Sequence, residues 1–356
     1  AHSKQEPFHP DQYPKMMRRG KAYFRKDKEG AALMVALWVL AILSLIVGSF
    51  AFEVNLESML VSHKRKKFLA QMKALSGIEY AKAILDKQQS AKELEIEDMA
   101  EDRDGFMQSA LFIKRGLSTS STIEFEDGGN FTVTLESAEA GRNVNLLTRQ
   151  QWLDIFEMAN VPSTEWDAMI DCLQDWIDEN DLHQLDGAES DDPFYEESGY
   201  PVKNGPLDSV EELLLIKNWG PDILYGKPAD EESDEIFGIA DILTVWGDGK
   251  VNLNTATDDV LLSYAEYEDW ELASVREVIL GEDQEENTLD DGIKSLNEVG
   301  ADPAKFKLQS SFVKVTSIGD IFGNQYRIEA IFLLKNKDSV VVYWNEGPVK
   351  ENTYTR

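Results

Sequence analysis

The sequence predicts an α+β fold in which a long N-terminal helix packs on an antiparallel sheet and a large all-α insertion interrupts that sheet. Three observations carry this. No charged residue occurs from Ala31 to Phe52, and apolar residues at helical spacing continue beyond it to Leu85. Strand-like alternation appears at Ser121–Ser137 and again at Ser311–Asn345. Between those two pieces the apolar positions recur every three or four residues, with acids interspersed.

The uncharged run is long enough, at 1.5 Å per residue, to cross a hydrocarbon core of roughly 30 Å. A soluble core helix has no need to be apolar on every face over such a length. Lys15, Arg18, Arg19, Lys21, Arg25, Lys26 and Lys28 precede it, against the single acid Asp27 in that stretch. The positive-inside rule then leaves the leader in the cytoplasm and sends the rest across the membrane. The basic stretch "HKRKK" at His63–Lys67 lies on the far side, well past the span. A cleaved secretory signal is the alternative; the apolar run is long for one, and no clear small-x-small cleavage site follows it. Leu56, Met59, Leu60, Leu69, Met72, Leu75, Ile78 and Leu85 continue the helical pattern with no proline between residues 31 and 88. One helix over 31–88, spanning the membrane to about residue 52, is expected.

The chain carries 35 basic and 66 acidic residues, a formal charge of −31. The first thirty residues are net basic, so the exported part is still more acidic, which excludes nucleic acid and anionic surfaces as general partners. Cys172 is the single cysteine, so no intrachain disulfide exists, and its helical surroundings predict burial. His2, His9, His63 and His183 are the only histidines. No nucleophile elbow, phosphate-binding loop or zinc spacing occurs. Carboxylates alone would have to support any catalysis, as in glycoside hydrolysis.

"STIEFEDGGNFTVTLES" reads as two strands about a turn at Asp127–Asn130, and Ser311–Asn345 as three strands with turns near Gly319–Asn324 and Lys335–Asp338. The middle region contains four helical segments: "TRQQWLDIFEMANV", "PSTEWDAMIDCLQDWIDEN", "LDSVEELLLIKNW" and "ATDDVLLSYAEYEDWELASVREVIL". Asp, Ser or Thr near their starts fits N-capping. An internal echo joins "GRNVNLLTRQQWL" to "GKVNLNTATDDVLL": Gly-basic, then Val-Asn-Leu, then a Thr that opens a helix. "VNLNTAT" also resembles the start of a helix-hairpin-helix DNA-binding module, a function that the negative charge opposes.

A basic leader ending in Gly30, an uncharged helix from Ala31, an amphipathic continuation and a C-terminal sheet together resemble type IV pilins and the pseudopilins of type II secretion. The resemblance implies a pilin-like fold, cleavage after Gly30 by a prepilin peptidase, and methylation of the new N-terminus at Ala31. The family's usual first residue is Phe, so Ala31 departs from the pattern. Mature position five falls on Val35, where most of the family has Glu to neutralise a neighbour's terminal amine. An unpaired charge in an apolar bundle is expensive, so a subunit without that carboxylate suits only the top of a filament. "DWIDENDLHQLDGAES", "YPVKNGPLDSVEELLLIKNW" and "GKVNLNTATDDVLL" occur in the order seen in the large minor pseudopilin K family. What that family implies is a non-enzymatic tip subunit. Its expected partners are minor pseudopilins I and J, and through them minor pseudopilin H and the major pseudopilin G. Inner-membrane lipid would surround the anchor, and the bulk of the chain would lie in the periplasm.

Asp175, Asp178 and Asp181 recur every third residue at a helix end, and Gly187 allows a return that brings Glu189 near. Calcium takes six to eight oxygen ligands, but this spacing is not that of an EF-hand, and a solvated acidic surface is the plain reading of it. K-type pseudopilins bind calcium in this helical region, and the matching carboxylates are Asp175, Asp178, Asp181 and Glu189, with Asp191 and Asp192 as substitutes. Trp152, Trp166, Trp176 and Trp219 lie in helix-period apolar runs and are expected to be buried.

The expected organisation is a leader over 1–30, the long helix over 31–88, and the first part of the pilin-like domain over 89–140. The insertion follows over 141–305, as two related subdomains at about 141–247 and 248–305, and closing strands occupy 306–356. The rival readings are a minor pilin of a surface type IV pilus, a membrane-anchored carboxylate hydrolase, and an anchored sensor or adhesin.

Overall fold

The computed structural model describes residues 24–90, 105–229, 234–265, 267–335 and 338–349. The chain divides into two compact units, Ala1–Lys64 and Arg65–Arg356. Helix α1 runs Phe24–Ser90 and so contributes to both. It starts seven residues earlier than the apolar run suggested, because Arg25, Lys26, Lys28 and Glu29 are good helix formers and a single Gly30 costs only about 1 kcal/mol. Within the first unit, every side chain from Ala31 to Lys64 is exposed, as an apolar helix with no protein neighbour must be. Its length and composition suit a single-pass membrane anchor. The leader up to residue 23 lies outside the described residues.

In the second unit, α2 (Phe106–Lys114) leads into β1 (Thr119–Glu124) and β2 (Gly129–Ser137). The insertion follows: β3 (Arg142–Asn143), α3 (Arg149–Met158), α4 (Trp166–Ile177), α5 (Pro193–Ser198) and α6 (Pro221–Tyr225). It continues with β4 (Leu243–Thr244), β5 (Val251–Asn252), α7 (Asp258–Ala265), α8 (Asp269–Ile279) and β6 (Phe306–Lys307). Strands β7 (Phe312–Ile321), β8 (Asn324–Lys335) and β9 (Asp338–Pro348) close the fold.

The main sheet is antiparallel in the order β1-β2-β7-β8-β9. Alternation decides its faces. Phe131, Val133, Leu135, Val313, Val315, Ile328, Ala330 and Phe332 point inward, against Ala70, Ala74, Ile78, Ala81, Ile84 and Leu85 of α1. On the other face, Thr122 pairs with Thr132 (2.9 Å) and Ser120 with Thr134 (3.2 Å). The helix lies close on β7 because the residues between them are small. A Cβ on Gly319 would overlap the backbone of Ala70 and Ala74, and Ser317 Oγ donates to the Ala74 carbonyl at 2.8 Å.

The insertion sits between the adjacent strands β2 and β7 and is helical apart from two pairs of two-residue parallel strands, β3 with β4 and β5 with β6. Its buried side chains form one continuous cluster from Val144 to Phe306. Trp152, Trp176 and Trp219 belong to that cluster, Trp166 packs half-buried against it, and Cys172 is fully buried. Trp270 is exposed. One expected helix differs: "LDSVEELLLIKNW" forms a short 3-10 turn over Val210–Leu215. Glu212 is the reason, since its carboxylate takes bonds from the Asp208 N–H, Trp176 Nε1 and Lys203 Nζ, which draws the turn tight.

The internal echo has a structural counterpart in a different register. Asn143-Val144-Asn145 matches Asn252-Leu253-Asn254, rather than Val144–Leu146 matching Val251–Leu253. In each copy the first Asn accepts the N–H of the second, at 3.0 and 3.1 Å. The second Asn then clamps a peptide unit of a returning chain. Asn145 holds both the N–H (2.7 Å) and the carbonyl (3.0 Å) of Leu207, and Asn254 does the same for Ile293 at 2.9 and 3.3 Å. The clamped residue leads in each copy to a Ser-x-x-Glu turn, whose Glu accepts the N–H of Asp208 or of Lys294.

Candidate metal centre

Helix α4 builds the first half of the centre. Asp171 and Asp175 are one helical turn apart, so both point to the same side, and both are buried. Each draws in the following loop. Asp175 Oδ1 accepts the Gln184 N–H at 2.9 Å, and Asp171 Oδ2 accepts the Asp186 N–H at 3.2 Å. Arg149 neutralises Asp171 at 2.7 Å, whereas Asp175 has no cationic partner among the described residues. Gly187 then runs against Asp175, where a Cβ would overlap its Oδ2. That passage delivers Glu189 to the interior.

Glu189 is 3% exposed, and neither of its carboxylate oxygens has a hydrogen-bond partner. Burial, followed by the nearby Asp175, Asp178, Asp181 and Asp191, pushes its carboxyl up to about 7. Burial likewise raises Asp175 above the usual carboxylate range. Asp178 ends α4 and accepts the Asn180 N–H at 3.0 Å. Asp181 is exposed and accepts from Asn204 Nδ2 at 3.2 Å. The Oδ1 of Asn204 is also buried without a partner. Sequence reasoning missed Asn204; its signal was the Asn-Gly pair that turns the chain back, with Asn204 at φ 50°. Asp192 is otherwise engaged, by Lys217 at 2.7 Å and by the first turn of α5.

Unpaired buried carboxylate oxygens are costly unless they take up a proton or a cation. Glu189 is such an orphan near Asp175, Asp178, Asp181 and Asp191, and hard oxygens in a loop are what calcium uses. In donor type the residues suit such an ion.

A tighter carboxylate group forms in the second copy of the repeat, where the ligand atoms of Asp283, Asp290 and Asp291 lie within 4.8 Å of one another. The carboxylates at 175, 178, 181 and 189 do not close to that spacing among the described residues. The second group occupies the same place in its repeat, before the clamped Ile293, but its oxygens are already used. Asp291 Oδ2 accepts the N–H of Asn287 (2.7 Å) and of Thr288 (3.1 Å), and Asp290 Oδ2 that of Glu282 (2.6 Å).

The residues at the expected cleavage point lie in the first unit. Gly30 and Ala31 are within α1, and Val35 is exposed on it.

The family model for type II secretion system protein K matches residues 132–225. No curated protein sequence gives a significant match. A chain of the crystal structure of the GspK–GspI–GspJ complex from the type 2 secretion system of enterotoxigenic Escherichia coli has a similar fold. The TM-score is 0.53 at 12% identity, over 82% of this chain and 99% of that one. At that identity the likeness concerns the fold. The matched residues run from β2 through the whole acidic centre to the end of α6, and that part of the chain is similar to the type II secretion system protein K domain.

Proposed function

We propose that the chain is the tip subunit of a type II secretion pseudopilus, and that it starts or caps pseudopilus assembly together with minor pseudopilins I and J. The observation that carries this is the protein K domain set between β2 and β7 of a pilin-like sheet. Val35 agrees with it, because the apolar helix offers no carboxylate to the terminal amine of a subunit stacked above. Contacts with minor pseudopilin H and the major pseudopilin G are reached through I and J. The leader is cut after Gly30 by a prepilin peptidase, and Ala31 is methylated. The anchor rests in inner-membrane lipid with the bulk of the chain in the periplasm. The role is structural and uses no catalytic residue.

Calcium belongs to the same reading. Asp175, Asp178, Asp181 and Glu189 would hold it, with Asn204 supplying a neutral oxygen. The orphaned Glu189 oxygens are the support for it. A bound divalent cation neutralises the cluster and fastens the 178–189 loop to α4.

The test is the intact mass and N-terminal sequence of the protein from membranes, with and without prepilin peptidase, followed by recovery of I- and J-type pseudopilins with it. A methylated Ala31 that depends on the peptidase, together with recovered partners, is the expected result. An uncut chain that recovers neither partner sinks the proposal.

A further inference from the structure

Leu185 is 94% exposed and Leu182 77%, more than any other large apolar side chain among the described residues, those of the apolar helix included. Single exposed leucines are common on proteins and need no explanation. These two differ in how they are held. No helix or strand covers 179–192, yet the backbone there is fixed from beneath. The Gln184 and Asp186 N–H groups turn inward to Asp175 and Asp171 on α4, at 2.9 and 3.2 Å. Leu185 stands between those two anchors, so its side chain is presented outward. The Leu182 N–H is bonded to Asn180 Oδ1 at 2.9 Å, and Asn180 in turn donates to Asp178. Neither leucine belongs to the core around Trp152 and Trp176. They hold no part of the fold together, and a braced loop shows them to solvent.

The charge around them defines what could cover them. Residues 175–192 contain eight acids, one histidine and no Lys or Arg. That density is more than twice the chain's own, which is 66 acids in 356 residues. Glu179, Asp181, Asp186 and Asp191 are exposed on the same loop. Lys217 pairs only Asp192, and a divalent ion at the centre would cancel two charges more, so the loop stays negative. An anionic lipid surface is repelled by it. So are the stretches 91–104 and 230–233 of the chain itself, which lie outside the described residues and are acidic in sequence. The last seven residues, 350–356, carry two cations against one acid and contain no Leu, Ile, Val or Met. A surface that buries two leucines and also answers this charge is a protein segment with apolar side chains beside Lys or Arg.

We propose that Leu182 and Leu185 are the apolar anchors of a docking surface for another protein, one that offers a cationic, apolar segment to the 179–192 loop. The acids select and orient that segment, and the leucines supply the buried area. Because α4 already fixes the backbone on either side of Leu185, little ordering entropy is lost on docking. The proposal goes beyond the tip role and does not rest on it, nor on a bound ion.

The test uses the full chain in phosphatidylcholine nanodiscs with calcium present, and a short labelled peptide of alternating Lys and Leu as the probe. Empty nanodiscs correct for peptide that enters lipid. The variant Leu182→Ser/Leu185→Ser keeps every charge and removes no packed side chain, and its melting curve checks that it folds as the wild type does. Burying two leucines is worth an affinity about ten- to a hundredfold higher in the wild type than in the variant. A Lys/Ser peptide should bind the wild type about as weakly as the Lys/Leu peptide binds the variant, and a Glu/Leu peptide should bind neither. Equal affinity of the two proteins for the Lys/Leu peptide overturns the proposal, because general acidity then explains the binding. No binding by the wild type overturns it as well. If the variant differs from the wild type only in flotation with phosphatidylglycerol vesicles, the loop is a membrane contact and the docking of a protein is wrong. None of these results depends on cleavage of the leader or on recovery of I- and J-type pseudopilins, so they leave the tip role to its own test.

Discussion

Gly187 and Asp175 are packed so closely that residue 187 has no room for a side chain: an added Cβ would overlap the buried carboxylate's Oδ2. The loop that brings in Glu189 thus depends on a glycine for space. Gly187→Ala has to push the loop off α4, at a cost of about 1–3 kcal/mol. We expect a melting temperature lower by several degrees and loss of any stabilisation by calcium. A variant that melts like the wild type under both conditions would show that the loop does not sit this way.

The pH dependence follows from Glu189. Its folded carboxyl titrates near 7, above an ordinary glutamate. Between the two values the folded chain keeps a proton that the unfolded chain has released. Stability from this group therefore falls as pH rises from about 5 to 8. Calcium needs the ionised form, so its stabilising effect grows over the same interval. Melting curves of wild type and Glu189→Gln, in calcium and in chelator, isolate the term. In chelator the variant should gain relative to the wild type as pH rises, and calcium should shift only the wild type. Identical pH profiles for the two proteins would remove Glu189 from the centre.

Asn145→Ala strips two hydrogen bonds from the backbone of Leu207, and Asn254→Ala strips two from Ile293 and a third from the Arg115 carbonyl. A loss of about 2–3 kcal/mol is expected from each. The two clamps share no partner, so the double variant should show the sum to within about 0.5 kcal/mol. Chemical denaturation of the three variants measures this, and a double variant no worse than either single would mean that the clamps act as one.

Glu139 and Lys307 tie the two ends of the insertion where it leaves the sheet. Lys307 Nζ lies 2.7 Å from Glu139 Oε1, and the other oxygen accepts the Ser311 N–H at 2.6 Å. Glu139 is 1% exposed, whereas Lys307 also reaches Asp248 at 2.9 Å. Lys307→Met strands a buried carboxylate and should cost about 3–5 kcal/mol; Glu139→Gln keeps an acceptor for Ser311 and should cost less. The reverse order in a denaturation series would contradict the pairing.

Much of the fold was legible because its signals are local. Alternation placed β1, β2, β7, β8 and β9 and their turns to within a few residues, and the 3.6-residue period found α1, α3, α4 and the one segment that the structure divides into α7 and α8. The two-residue strands β3–β6 were not legible, since their partners lie far away in sequence and two residues show no period. The same holds for Asn145 and Asn254, whose equivalence lies in what they clamp. Periodicity read Val210–Leu215 as ordinary helix because the pull of Glu212 on the turn is a tertiary effect. At the acidic centre, the sequence indicated the carboxylates, but the isolation of Glu189 and the part of Asn204 depend on how the loop closes over α4.

The position of the insertion also decides the order in which the chain can fold. Strand β2 needs β7 beside it, and their pairing joins Ser137 to Val313 across the whole insertion. The helical cluster from Val144 to Phe306 lies wholly ahead of β7 in the chain, and local contacts of that kind form fastest. The sheet comes last, and with it the surface that receives Ala70, Ala74 and Ile78 of α1. Until then the packed face of that helix is uncovered. A chain truncated before Phe312 would have no β7, β8 or β9 on which to seat its long helix, so the packed form of that helix belongs only to the finished chain.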